Sequence, residues 1–179
     1  NDYFTEKEMK YKPIPVEGNK EAKAKLFAGE CDVFTTDASG LASARAGAED
    51  PSKWVVLPEI ISKEPLGPLV RQGDQEWEDI VRWTHNIMVN AEEAGITSRN
   101  VDTMLDSKNK EVKRILGEEG YIGPMLGVGM KFGYNIIKWV GNYGESYERN
   151  VGPDTDLKLE RGLNNLWKNG GVMYVPPIR

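Results

Sequence analysis

Phe27-Ala28-Gly29-Glu30-Cys31-Asp32-Val33-Phe34-Thr35-Thr36-Asp37-Ala38-Ser39-Gly40 decides how the rest of the chain is read. The run Cys31 to Thr36 has the length and the Val/Phe/Thr composition of a short buried strand. Upstream, Lys20 to Ala28 reads as a helix with Asn19 as its N-cap and Gly29 as its stop. Downstream, Asp37 to Gly40 reads as a turn and cap before a helix over about Leu41 to Ala46. Trp54 to Leu57 is the next strand. Lys12 to Glu17 is an earlier extended run, its prolines suited to an edge. Residues 12 to 57 therefore read β-α-β-α-β, the pattern of a parallel sheet with covering helices. Three strands and two short helices do not close a doubly wound domain. Either the rest of the chain completes the sheet or part of it is absent.

Pro58, Pro65, Gly67 and Pro68 mark the clearest boundary. Beyond it, Leu69-Val70-Arg71 reads as a brief strand. Asp74 caps the longest helix, about Gln75 to Ala94, which stops at Gly95. Trp77, Ile80, Val81, Thr84, Ile87, Met88 and Ala91 fall on one face of it at a period of 3.6, so that face is expected in a core. Shorter helices are expected near Asn100 to Leu105, Lys110 to Leu116, Met130 to Val140 and Leu163 to Trp167. Residues 117 to 175 are rich in glycine and aromatics, without a repeat.

With 23 Lys+Arg and 28 Asp+Glu among 179 residues, the net charge is −5. A pI near 5.1 with no basic block argues against a nucleic-acid partner or an anionic membrane surface. No stretch approaches the ~18 apolar residues of a membrane span. One cysteine, Cys31, excludes an internal disulfide and a multi-cysteine metal site. One histidine, His85, removes most hydrolase triads and zinc sites. No metal and no cofactor are expected, and no residue stands out as catalytic. The chain begins at Asn1, as a processed form or a fragment would.

Asp37 is the sharpest candidate for function, because open α/β sheets bind ligands at the carboxyl ends of their strands. A carboxylate there can hold a cation or an ammonium group. It can equally cap the following helix, with Ser39 as the alternative cap. His85 reads as a surface or half-buried helix residue, and Cys31 as a small buried hydrophobe. Gly127, Gly129 and Gly133 do not have dinucleotide-fingerprint spacing and read as turns or close packing. Glu92-Glu93 and Glu118-Glu119 read as solvated helix ends, and the five tryptophans as core.

The run Phe27 to Asp37 resembles the periplasmic amino-acid-binding proteins of bacterial ABC importers: a helix ending in glycine, an aspartate, a short apolar strand and a ligand-binding aspartate. Leu57 to Asp74, Val140-Gly141-Asn142-Tyr143-Gly144-Glu145, Arg149-Asn150-Val151-Gly152 and Arg161-Gly162-Leu163-Asn164 are similar to the broad-specificity general L-amino-acid subfamily. The resemblance covers nearly the whole chain. It implies an α/β, three-layer αβα fold of the type II periplasmic-binding-protein kind, here partial. Residues 1–61 would be part of the second lobe, residues 62–68 the hinge, and residues 69–179 the return to the first lobe with a helical C-terminal extension.

The resemblance also implies a non-enzymatic receptor in the periplasm. It would bind L-amino acids of broad or polar kind and deliver them to an ABC permease. Asp37 would take the substrate's α-ammonium group, with Thr36 and Ser39 joining it by adjacency. The arginine and helix that hold the α-carboxylate in the family lie upstream of the position matched by Asn1, so no arginine here carries that role. The implied C-terminal half would expose sheet edges, and a homodimer or domain swap is expected. Two other classes remain in view. One is a cyclohexadienyl-type dehydratase on the same fold, which needs a general acid or base in the cleft. The other is a sensory or interaction domain that has lost its ligand.

Overall fold

The computed structural model describes residues 2–179. They form two compact units. One runs to Leu66 and includes Asp156–Leu159; the other comprises Gly67–Thr155 and Glu160–Arg179.

The second unit is built on helices whose sequence signals are local. Helix α4 spans Gln75–Glu93. The Asp74 carboxylate accepts from the Trp77 amide at 3.1 Å, and Glu76 and Glu78 favour the positive end of the helix dipole. Gly95, at φ +71°, reverses the chain after it. Around its C-terminal half pack α5 (Val101–Met104), α6 (Lys110–Leu116), α7 (Ile122–Met125), α8 (Phe132–Trp139) and the tail residue Ile178. Ile87, Ile96, Val101, Ile115, Leu116 and Ile137 are all within 1% of complete burial. Each such side chain stabilises the fold by about 1.5–3 kcal/mol relative to exposure. Gly133 permits the approach of α8 to α6, since a Cβ there would lie 1.8 Å from the Ile115 carbonyl oxygen.

Two polar residues tie the ends of this unit down. Buried Asn90 donates from Nδ2 to the carbonyls of Asn86 and Pro176, both at 2.9 Å, which anchors the tail. Buried Asn142 caps α9 (Tyr143–Asn150) by accepting from the Glu145 amide, while Glu145 accepts from the Asn142 amide in a capping box. Glu145 also accepts from Ser98 Oγ at 2.6 Å, and Asn142 Nδ2 donates to the Ile96 carbonyl at 2.8 Å. The helix α9 was not expected from the sequence. Its N-cap and N3 residues were legible, but flanking glycines obscured them.

The first unit is different in kind. It contains α1 (Asp2–Glu6), α2 (Asn19–Phe27), α3 (Ala38–Ala46) and a 3-10 turn at Pro51–Lys53. Its buried hydrophobic residues are Ala22, Ala42 and Ala44. The expected parallel sheet is not formed among the described residues. Lys12 to Glu17, Cys31 to Thr36, Trp54 to Leu57 and Leu69 to Arg71 carry no ladder, and the one bridge is Leu166 to Met173. A strand's ladder bonds need a neighbouring strand, so an apolar run can have strand composition without being paired. Val33 and Val55 are accordingly 60% and 78% exposed. The αβα layering read from the sequence is therefore not seen in the described residues.

Smaller corrections follow the same local logic. Asn19 lies inside α2, and Gly18 occupies the cap position without a side-chain bond. Helix α3 starts at Ala38 rather than Leu41, directly after Asp37. The region Leu163 to Trp167 divides into two 3-10 turns, Gly162–Asn164 and Trp167–Asn169. Trp77, Trp139 and Trp167 are exposed rather than core, so the apolar stripe of α4 is buried only toward its C-terminal end. No helix among the described residues is long and apolar enough to cross a membrane.

Candidate functional site

Thr36, Asp37 and Ser39 come together at the N-terminus of α3. Asp37 is the N-cap, with extended backbone at φ −60° and ψ 155°. Its Oδ1 accepts from the Gly40 amide at 2.9 Å and from Ser39 Oγ at 2.5 Å. Its Oδ2 accepts one long bond, from Thr36 Oγ1 at 3.4 Å. One carboxylate oxygen is thus committed to the helix end, and the other is nearly unspent. The Ser39 hydroxyl and the Gly40 amide, with a smaller share from Thr36, hold the Asp37 carboxyl below the usual aspartate range. A charged acceptor fixed in this way can take a cationic donor without first having to be ordered. Capping through Oδ1 leaves Oδ2 available to a cationic group.

Gly40 was not singled out in the sequence. A Cβ on it would lie 2.9 Å from both Asp37 Oδ2 and Thr36 Cγ2. The Asp-x-x-Gly spacing across the turn is the signal that could have found it.

The remaining candidates are placed elsewhere. His85, on α4, is half-buried against Tyr143, with ring centroids 5.6 Å apart, and burial pushes its imidazole below the ordinary value. Cys31 is partly exposed, not buried. Glu92 and Glu93 are not solvated ends. Glu92 pairs with Arg161 through two contacts, at 3.1 and 3.2 Å, and Glu93 accepts from Trp167 Nε1 at 2.8 Å. The Arg161 guanidinium lies 5.3 Å from the ring centres of both Tyr143 and Tyr147 and donates to the Asn164 carbonyl. Burial raises both tyrosine hydroxyls. This cluster escaped the sequence reading because its members lie 69 positions apart, from Glu92 to Arg161. With its donors engaged, Arg161 fastens the C-terminal segment to α4 and α9. Asp37 lines neither of two open clefts, one beside Arg45, Trp54 and Lys158 and one beside Val70, Val81 and His85. Among the described residues, no group of three or more His, Cys, Asp or Glu is arranged to hold a metal ion.

The fold is that of a periplasmic binding protein in part. A solved ABC transporter periplasmic binding protein from Brucella ovis, with glutathione bound, matches 99% of this chain and 56% of its own at a TM-score of 0.90 and 50% identity. The chain is a homologue of the amino-acid-binding proteins of ABC transporters. It is 52% identical to the general L-amino acid-binding periplasmic protein AapJ of Rhizobium johnstonii over 99% of its length. It is 50% identical to the putative amino-acid ABC transporter-binding protein YhdW of Escherichia coli. It is 49% identical to the glutamate/glutamine/aspartate/asparagine-binding protein BztA of Rhodobacter capsulatus. The chain spans about half the length of these relatives, 52–53% of each. No protein-family model matches it.

Proposed function

We propose that this chain is part of a periplasmic substrate-binding protein that captures L-amino acids for an ABC permease. Asp37 accepts the ligand's α-ammonium group, and Thr36 and Ser39 complete that end of the site. Residues 1–61 belong to the ammonium-binding lobe, residues 62–68 act as the hinge, and residues 69–179 return to the other lobe. The observation that carries the reading is the fixed Asp37 carboxylate with one unspent oxygen, in a chain half identical to proteins named for amino-acid binding.

The ligands named for the relatives share one chemical feature. General L-amino acids, the acidic amino acids and their amides, and glutathione all carry a free α-ammonium and α-carboxylate, glutathione on its γ-glutamyl end. A site that grips this head and holds the side chain loosely accepts all of them. A lone carboxylate offers no general acid/base pair, and the relatives are named as binding proteins, which favours a receptor over a dehydratase.

A thermal-shift panel of L-amino acids and glutathione on the encoded polypeptide tests the reading. A ligand at 100 times its Kd adds about 2.7 kcal/mol, which raises Tm by roughly 5–10 °C for a protein of this size. The shift is expected with L-glutamate and absent in Asp37→Ala. No shift with any member of the panel would contradict the proposal. The 179 residues alone are also proposed to self-associate through their unladdered segments, and a monodisperse monomer by light scattering would contradict that.

A further inference from the structure

The two oxygens of Asp37 are not equivalent. Oδ1 is saturated by two short bonds inside its own turn, from Ser39 Oγ and the Gly40 amide. Oδ2 carries only the 3.4 Å contact from Thr36. The space beside Oδ2 is kept open by the absence of a side chain at Gly40, where a Cβ would stand 2.9 Å away. The Gly40 backbone is not in the left-handed region, so conformational freedom does not explain the glycine. Position 40 is also inside the first turn of α3, where alanine is ordinarily the better helix former.

We infer that Gly40 and Ser39 are positioning residues for ligand capture: Ser39 fixes the Asp37 carboxylate through Oδ1, and Gly40 leaves Oδ2 open as the atom that receives the ammonium group. The inference rests on the proposed amino-acid-binding function. It assigns different work to the two atoms of one side chain and to a residue that offers the ligand no side chain of its own. A methyl group at position 40 meets the far end of the Asp37 side chain and the Thr36 methyl. To relieve that contact the carboxylate must turn, which moves Oδ2 out of place and loosens the cap bonds at Oδ1.

Stability and affinity are therefore predicted to move apart. Gly40→Ala in the encoded polypeptide should leave Tm near wild type, because alanine's advantage over glycine in a helix offsets the loosened cap. Its affinity for L-glutamate, measured by calorimetry, should fall about tenfold or more, the scale of a displaced charge-assisted bond. Ser39→Ala should weaken binding less, and Ser39→Thr should restore it, since threonine keeps the hydroxyl. A ¹³C titration of the Asp37 carboxyl carbon gives a readout that needs no ligand. Its midpoint should rise in Ser39→Ala and return toward wild type in Ser39→Thr.

Unchanged affinity in Gly40→Ala, with wild-type binding intact, overturns the inference and leaves the proposed function standing. Loss of Tm together with affinity in Gly40→Ala would also overturn it, since the glycine would then be structural. Failure of the wild-type protein to bind any amino acid overturns the proposed function and this inference with it.

Discussion

Two stretches of this chain with similar apolar content have opposite fates. In the second unit's helical core, Ile115, Leu116 and Ile137 lose nearly all contact with water. In the first unit, Val33, Val55 and Leu57 keep more than half of theirs. The contrast lies in where the backbone bonds are made. A helix satisfies its own amides within four residues, so its apolar stripe needs only side-chain packing from a partner. A strand depends on a neighbour that its own residues do not supply. The first unit still holds a hydrogen-bonded turn, because Ser39 and Gly40 both donate to Asp37 within three positions and need no sheet to do so.

The largest expected effect sharpens this contrast directly. Ile137→Ala should cost about 2–5 kcal/mol in urea unfolding, through lost burial and a residual cavity. Val55→Ala, at an exposed position, should stay within about 0.5 kcal/mol. Equal costs at the two positions would break the comparison, because they would mean that Trp54 to Leu57 is laddered and packed.

A smaller effect is expected at the turn itself. Asp37→Ala removes an N-cap and should cost about 1 kcal/mol at pH 7. The sign with pH follows from the lowered carboxyl value. A group whose folded value is depressed contributes stability above its unfolded value, near 3.9, and loses it as pH falls through the folded value. The gap between wild type and Asp37→Ala should therefore be full at pH 7 and close below about pH 4. Urea midpoints measured from pH 7 to pH 3 check this. A gap that widens in acid would mean that the carboxylate is not held in the folded state.

The same division explains what was legible in the sequence. Helix α4 was readable from Asp74, the 3.6-period stripe and Gly95, because all three signals are local. Asp37 stood out at the end of an apolar run, and its role as a cap follows from the residues beside it. The absence of ladder pairing was not readable, because pairing depends on chain outside the run. The exposure of Trp77 was also hidden: periodicity says which face is apolar and not how far along the helix a partner reaches. The Glu92–Arg161 clasp joined residues 69 positions apart, with no local pattern to announce it. Gly40 was hidden for a different reason, since its contribution is the side chain it lacks.

In the proposed function, the ligand is recognised by its α-ammonium group through Asp37. The direct test is calorimetric titration of the encoded polypeptide with L-glutamate and with N-acetyl-L-glutamate, which keeps both carboxylates and loses the positive charge. L-glutamate is expected to bind, and the acetylated form to bind at least about tenfold more weakly, the scale of a lost charge-assisted pair. In Asp37→Ala the two ligands should bind alike. Equal binding of both by the wild-type protein would contradict recognition through Asp37.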